Sequence, residues 1–464
     1  MKTETTIQAN PKIQQSEKPQ FRQYASYKPS NVEWLGDVPS HWKVTRLINR
    51  TVQIVGGDWG DDPELESDEH VLLPVIRVQD IENEYEIGDE KLTYRKIKAS
   101  KIDHRLIDNK TLLIEKSGGG EKQLVGRVAI PKKITMPAIC SNFMEKIEMD
   151  EQAVPSFFNY IFHALYNRNM NFPFVQQTTG IQNLKSTYYF YTKVAYPTPT
   201  EQTAIAAYLD QATANIDKVI ATKQNQLEKL EQYKQSKIHE CVTGKHRLNL
   251  DLQDEKIKGL KSKNPGIQNI SIQTKDSGID WIGDVPGHWR KIKLRYEIEI
   301  QSGEFVSNTE LEVGGDFPVF GGNGIMGYVS KFNIESERLI IGRVGAKCGN
   351  VHHVENSAWI SDNALIVTTY HNYRYLFYLL TEMNLNSISS QSAQPLITGT
   401  KIKNEYVVLP PIGEQIEIAE YLNDFSQKIS KEKSIIEQQI EKLKQYRKCL
   451  IHECVTGKRK VINE

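Results

Sequence analysis

The chain repeats itself, and the repeat constrains its fold more than any other feature. The segment Val32-Glu-Trp-Leu-Gly-Asp-Val-Pro-Ser-His-Trp42 returns as Ile279-Asp-Trp-Ile-Gly-Asp-Val-Pro-Gly-His-Trp289, with seven identical positions. A second block, Gln226 to Tyr233, matches Gln439 to Tyr446. Both blocks run into one identical octet, Ile-His-Glu-Cys-Val-Thr-Gly-Lys, at 238–245 and 451–458. The numbering offset between copies is 247 at the first block (279 against 32) and 213 at the second (439 against 226), so the stretch between the blocks is shorter in the second half by 247 − 213 = 34. A frame that repeats around unequal inserts implies two equivalent scaffolds carrying two non-equivalent modules.

The second block predicts a long helix in each half. Pro199 precedes Glu201-Gln202 and Pro410-Pro411 precedes Glu414-Gln415, as helix-start signals. Apolar residues follow at steps of three and four: Ile205, Leu209, Ala212, Ile216, Val219, Leu227, Leu230 and Tyr233, then Ile418, Leu422, Phe425, Ile429, Ile436, Ile440, Leu443 and Tyr446. A period near 3.5 suits pairing of helix on helix. Gly244 and Gly457 stand where C-terminal caps belong.

The inserts, 43–195 and 290–408, have a different texture. Short β-type runs such as Leu112–Ile114, Val125–Ile130, Leu339–Ile341 and Ala364–Thr368 are punctuated by glycine clusters, and a helix is expected near the end of each, over Pro155–Asn167 and Tyr373–Met383. The fold class is α+β. Residues 246–275 are polar and contain Asn264-Pro265-Gly266, which reads as a linker, and the polar residues 1–26 read as a disordered tail.

Several functions are excluded on sequence grounds. No apolar run is long enough to cross a membrane, and the N-terminus carries no secretory pattern. The five cysteines form no C-x-x-C pair, which speaks against a disulfide framework or zinc site and for a reducing cytoplasm. The formal net charge is zero, so any contact with nucleic acid must come from a local basic face. There is no G-x-x-x-x-G-K-[ST] loop for ATP. Thr243 and Thr456 replace the second histidine that H-E-x-x-H zinc sites need after His239-Glu240 and His452-Glu453. Asn171-Phe-Pro-Phe174 is similar to the N-P-P-F tetrapeptide of amino-methyltransferases, and Phe320-Gly-Gly-Asn-Gly324 to a pattern that binds S-adenosylmethionine. The two fall in different halves, and no βαβ unit surrounds the second, so both read as tight turns. His352-His353 reads as an isolated, satisfied pair on a strand.

The tandem W-[IL]-G-D-V-P-x-H-W segments, the Pro410-Pro-Ile-Gly-Glu-Gln415 helix start echoed at Pro197–Gln202, and the repeated octet together resemble the specificity subunits of type I restriction–modification systems. Lys116-Ser-Gly-Gly-Gly120 with Val125-Gly-Arg127, and Phe320–Gly324, are similar to elements of that family's variable domains. The resemblance covers about residues 27–460 and implies a division of the chain. Target recognition domains would occupy 27–195 and 276–408, flanked by conserved long helices at 196–245 and 409–464 that pair as an antiparallel coiled coil with a pseudo-two-fold repeat. Each recognition domain would read one half of a bipartite, asymmetric double-stranded DNA site. The helices would set the gap between half-sites. Two methyltransferase subunits would bind S-adenosylmethionine and methylate adenine, and restriction/translocase subunits would use ATP and Mg. This chain would itself hold no cofactor or metal and carry no catalysis. Two other readings remain beside this one: a self-contained adenine methyltransferase, and an assembly scaffold with no DNA role.

DNA reading needs donors and acceptors on loops that reach a groove, with cations for phosphates. The candidates in the first insert are Ser117, Gly118, Gly119, Gly120, Lys122, Gln123 and Arg127, and those in the second are Asn323, Gly324, Tyr328, Arg343 and Lys347. Trp34, His41, Trp42, Trp281, His288 and Trp289 are expected to belong to the frame, packing on helix ends or seating partner subunits.

Overall fold

The computed structural model describes residues 23–246 and 273–461, apart from 83–85, 88–91, 109, 121–122, 133, 135, 179, 312–314, 346 and 391–394. The chain divides into two compact units, Met1–Thr222 with Gln439–Glu464, and Lys223–Gln438. The expected tail up to Arg22 and the expected linker from 247 to 272 lie outside the described residues. The ends of both differ from expectation. Tyr24 donates its hydroxyl to Glu201 at 2.7 Å, and Thr274–Asp276 already form a strand paired with Asp284–Pro286.

In the first unit a short hairpin, Tyr27–Pro29 with Asp37–Pro39, precedes β1 (Lys43–Arg46). Then come β2 (Thr51–Gly56), β3 (His70–Ile76), β4 (Thr93–Lys98), β5 (Thr111–Glu115), β6 (Ser117–Gly118), β7 (Val128–Ala129), β8 (Ile139–Cys140) and β9 (Met144–Met149). The elements α1 (Pro155–Asn167), β10 (Val175–Thr178), β11 (Ile181–Leu184), α2 (Ser186–Tyr189), β12 (Lys193–Tyr196) and α3 (Pro199–Val242) follow. One sheet has the order β7-β5-β9-β2, and a second has the order β8-β3-β4 with β8 parallel to β3. Strand β5 is buried on both faces. Such burial matches its uninterrupted apolar run Leu112-Leu-Ile114. α1 begins where Pro155 pre-sets the first helical turn. It buries Phe157, Phe158, Ile161, Phe162 and Leu165, a three-and-four spacing that turns one stripe inward.

The second unit repeats this plan. Its elements are β13 (Arg290–Lys293), β14 (Ile298–Ser302), β15 (Phe317–Gly321), β16 (Gly324–Val329), β17 (Arg338–Gly342), β18 (Val351–Val354), β19 (Trp359–Ile360) and β20 (Ala364–Thr369). α4 (Tyr373–Glu382), α5 (Gly399–Asn404), β21 (Tyr406–Leu409) and α6 (Ile412–Val455) complete it. The sheet order β18-β17-β20-β14 matches the first unit strand for strand, and β16-β15-β19 matches β4-β3-β8, parallel pair included. Even a backbone contact recurs. A Cβ on Gly57, after β2, would lie 2.1 Å from the Ser141 carbonyl oxygen, and one on Gly303, after β14, 2.3 Å from that of Ser361. Only glycine tolerates this approach.

Part of the length difference lies in one connection. The β3–β4 connection runs all the way from Arg77 to Leu92, whereas β15 and β16 are joined by Gly322-Asn323 alone. Among the described residues, the sheet β6-β11-β10 of the first unit has no counterpart in the second.

Each unit also holds a piece of both long helices. In the first, Arg447 on α6 meets Asp217 on α3 at 3.1 Å; in the second, Lys433 meets Glu231 at 2.8 Å and Phe425 lies edge-on to Tyr233. On α3 the inward positions include Leu209, Ile216 and Ile220, whereas Val219, expected in the apolar seam, is 44% exposed. The four-residue step from 216 to 220 keeps the stripe on one side of a straight helix of 3.6 residues per turn. Tyr233 and Tyr446, also expected in the seam, are about half exposed.

Candidate DNA-reading site and the frame that holds it

The frame is built on one carboxylate per unit. Glu201, in the first turn of α3, accepts hydrogen bonds from Trp42 Nε1 (3.2 Å) and Tyr24 (2.7 Å) and pairs with His41 Nε2 (2.9 Å). Glu414, in the first turn of α6, does the same for Trp289 Nε1 (3.1 Å) and His288 Nε2 (2.8 Å). Trp42 and Trp289 are buried, so their ring N–H groups need a partner, and an acid in the first turn also suits the helix dipole. The next residue, a buried glutamine, clamps the module to the helix. Gln202 takes the Val154 N–H and donates to the carbonyls of Gln152 and Pro197; Gln415 takes the Asn372 N–H and donates to Pro410.

The octets complete the frame crosswise. The second octet, 451–458, packs in the first unit, where Tyr27 donates to the Gly457 carbonyl and Lys458 Nζ to that of Leu35. The first octet, 238–245, packs in the second unit, where Cys241 and Val242 share a core with Val285 and Trp289. Trp34 donates to the Lys193 carbonyl at 3.0 Å, and Trp281 packs half-buried on the second core. Identical histidines meet different neighbours. His239 pairs with Glu382 at 2.8 Å, while His452 faces Arg168 and the ring of Trp34, and burial, with the charges of Arg168 and Lys458, holds its pKa down at about 4. Among the described residues no cluster of potential metal ligands forms, at the H-E pairs or elsewhere.

In the first unit the sequence candidates converge. Ser117, Gly118, Gly119, Gln123 and Arg127 line a cavity of about 710 Å³. Gly119 has φ +64°, and a Cβ there would come within 2.8 Å of the Gln123 carbonyl oxygen and of Gln182 Oε1; Gly120, by contrast, faces open space. Lys122 lies outside the described residues. Sequence reasoning missed the rest of the lining: Arg77, Val78, Gln79 and Ile81 from the long β3–β4 connection, with Trp59, Asn142 and Phe143. Two arginine–glutamine pairs face this space. With their carbonyls turned toward the guanidinium groups, Gln79 accepts from Arg77 at 2.8 Å and Gln123 from Arg127 Nε at 2.7 Å. The only available signal for this part of the lining was the excess length of the first insert.

Arg127 has a structural partner of its own. Expected as a phosphate cation, it also places its Nε 3.0 Å from Glu115, which is 1% exposed. Burial raises the Glu115 pKa and Arg127 opposes the shift, so the arginine first serves to neutralise a buried acid.

The candidates of the second unit are spread over several elements. Asn323 and Gly324 make the β15–β16 hairpin turn, with Tyr328 exposed further along β16. Arg343 donates to Ser302 and lines a separate cavity of about 250 Å³ with Thr398 and Lys403. Lys347 is exposed on the turn before β18. His353 pairs with Glu337 at 2.6 Å, but His352 Nε2 is buried without a hydrogen-bond partner, which corrects the expectation of a satisfied pair. Burial lowers the His352 pKa. The two methyltransferase-like motifs have structural explanations. Asn171 is fully buried and donates to the Val125 carbonyl at 2.6 Å, holding the chain just ahead of Arg127, and Phe320–Gly324 is the hairpin itself.

The family model of the type I restriction modification DNA specificity domain matches residues 44–229 and 286–442. The chain belongs to this family. A type I restriction enzyme EcoprrI specificity subunit of Escherichia coli is 40% identical over 111 residues, which cover 24% of this chain and 28% of that relative. A chain from a structural study of complex assembly and conformational transition of the type I R-M system superposes with a TM-score of 0.65 at 15% identity, covering 90% of this chain and 98% of the other; it shows the fold. The HsdS subunit from Thermoanaerobacter tengcongensis, a further solved structure, gives a TM-score of 0.49 at 16% identity over 90% of this chain and 98% of its own. Among the described residues of this specificity-family chain, no helix is long and apolar enough to cross a membrane.

Proposed function

We propose that the chain is the DNA-specificity subunit of a type I restriction–modification enzyme, in which each insert reads one half of a bipartite, asymmetric duplex site. The observation that carries this reading is the combination of a shared sheet plan with divergent elements between its strands. The β3–β4 connection, spanning 77–92 where the second unit has only 322–323, supplies Arg77, Val78, Gln79 and Ile81 to the wall of a cavity that the glycine-rich loop also lines. Arginine and glutamine suit base edges, because each presents two hydrogen-bonding groups in one plane. Catalysis belongs to partners in this reading. Two methyltransferase subunits bind S-adenosylmethionine and methylate adenine, restriction/translocase subunits use ATP and Mg, and the assembly works in the cytoplasm.

The helices act as an antiparallel coiled coil that sets the gap between half-sites around a pseudo-two-fold frame. The ion pairs Asp217–Arg447 and Glu231–Lys433 support it, since partner numbers fall on one helix as they rise on the other. The test is methylated-adenine mapping in cells with and without the gene, and with one helical turn removed from each helix between these pairs. A bipartite site is expected, with a shortened gap and unchanged half-sites in the deletion strain. A methylation pattern indifferent to the gene refutes the function, and an unchanged gap refutes the ruler.

A further inference from the structure

Each unit carries a feature that the reader loops do not use. The two-stranded ribbon joining insert to frame, β1–β12 in the first unit and β13–β21 in the second, carries together with the turns beside it cations laid on exposed tyrosines. In the first unit Arg46 lies over Tyr191 at 5.2 Å and Lys185 over Tyr188 at 6.0 Å. In the second, Lys291 and Lys293 lie over Tyr406 at 5.3 and 4.9 Å, and Arg295 over Tyr296 at 5.9 Å. These distances are within cation–π range. The core does not explain them. The buried residues of the ribbons are Val194, Ala195 and Tyr196 with Val407, Val408 and Leu409, while Tyr188 and Tyr296 are 63% and 68% exposed. Among the described residues, Arg46, Lys185 and Lys293 have no acidic partner.

We infer that these two cation–tyrosine strips bind the phosphate backbone of duplex DNA outside the bases that are read; the inference rests on the DNA-specificity reading above. A row of unneutralised cations and phenolic hydroxyl donors complements a polyanion. Continuity with the reader favours DNA as the occupant. In the first unit the exposed positions of β11, Ile181 and Asn183, lead on to Lys185, and Asn183 accepts the hydroxyl of reader residue Ser117 at 2.6 Å. In the second, Arg295 donates to Asn404, next to Lys403, which shares a cavity wall with Arg343. The same chemistry stands at equivalent ribbons although the inserts differ, as expected of contacts that position DNA without reading sequence.

The test uses the full chain with its copurifying subunits and two fluorescein-labelled duplexes, one carrying the methylome-mapped site and one scrambled. Fluorescence anisotropy is titrated from about 50 to about 200 mM salt for wild type, R46Q/K185Q, K293Q/R295Q and the charge-preserving R46K/K185R. Each Gln pair is expected to weaken binding to both duplexes by a similar factor and to reduce the salt slope by about 1.8. Across this fourfold salt range such a variant loses about twelvefold less affinity than wild type. R46K/K185R is expected to retain the wild-type slope, and the mapped half-sites to stay the same. Unchanged affinity and slope in both Gln variants overturn the inference and leave the specificity reading intact. Intact DNA binding with loss of copurifying subunits also overturns it, by making the strips a protein-docking surface. Wild-type complex that binds neither duplex fells the functional reading, and this inference with it.

Discussion

Replacing Gly457 by alanine tests the crosswise frame most directly. Gly457 has φ +72°, and its Cβ would stand 2.3 Å from Pro39 Cδ and 2.5 Å from Cγ. Carbon atoms settle at about 3.5–4.0 Å. The proline ring is stiff, and its strand is tied to Tyr27–Pro29, so the helix end must retreat. The left-handed backbone costs about 1–2 kcal/mol for a residue with a Cβ, and overpacking adds about 1–3 kcal/mol. Retreat also strains the bond from Tyr27 to the Gly457 carbonyl, about 1 kcal/mol. G457A is therefore expected to destabilise the first unit by about 3–6 kcal/mol. The equivalent G244A, whose Cβ would stand 2.4 Å from Pro286 Cδ, should do the same to the second. The control is G413A, which meets nothing within 4 Å in the first turn of α6 and is expected to be neutral or mildly stabilising. Urea unfolding followed by tryptophan fluorescence gives the stabilities. Hydrogen exchange at the Leu35 and Gly36 amides, which donate to the Val32 carbonyl, localises the effect. If G457A changed stability by no more than an ordinary surface substitution, about 0.5 kcal/mol, and left protection at those amides undiminished, the docking of the second octet on the first frame would be refuted.

Three further outcomes are expected. E201A, which strips the acceptor from buried Trp42 Nε1 and from Tyr24, should cost about 2–4 kcal/mol in urea unfolding, and E414A, which orphans only Trp289 Nε1 and an exposed histidine, less. R127A should destabilise the first unit by about 3–5 kcal/mol through the unpaired Glu115, and E115Q in the same chain should restore most of it; a variant that only weakened DNA binding would show Arg127 to be a plain phosphate cation. His163 is fully buried, holds the Val128 carbonyl, and has its pKa pushed from 6.5 down to about 3 by burial. The unfolded chain therefore takes up a proton that the folded one refuses. Its contribution to stability is complete above the unfolded pKa and falls as pH drops through it, at up to about 1.4 kcal/mol per pH unit. Urea midpoints at pH 7, 6 and 5 should show the decline, and H163N should flatten it.

What could be read along the chain was local. Pro155 and the spacing of Phe157, Phe158, Ile161 and Leu165 place α1 where it is found, and Pro199, Gly244 and Gly457 mark the ends of the long helices. The repeat announced two frames, and the doubly buried β5 was visible as an apolar run. These features follow from dihedral preference and hydrophobic periodicity, which neighbouring residues set among themselves. Val219 fell outside the buried stripe because a one-residue difference in register rotates a helical side chain by about 100°.

Tertiary structure decided the rest. The identical octets cross over, so that each unit closes on the helix end contributed by the other half of the repeat. Inserts with little visible similarity share a sheet order, because many apolar sequences fill the same alternating positions. Arg127 was legible as a cation but not as the partner of Glu115, and Arg77 became a wall of the cavity only when a loop far upstream of β6 folded over it. Pairings of that kind depend on surfaces brought together from distant parts of the chain, and they leave no mark in the residues on either side of them.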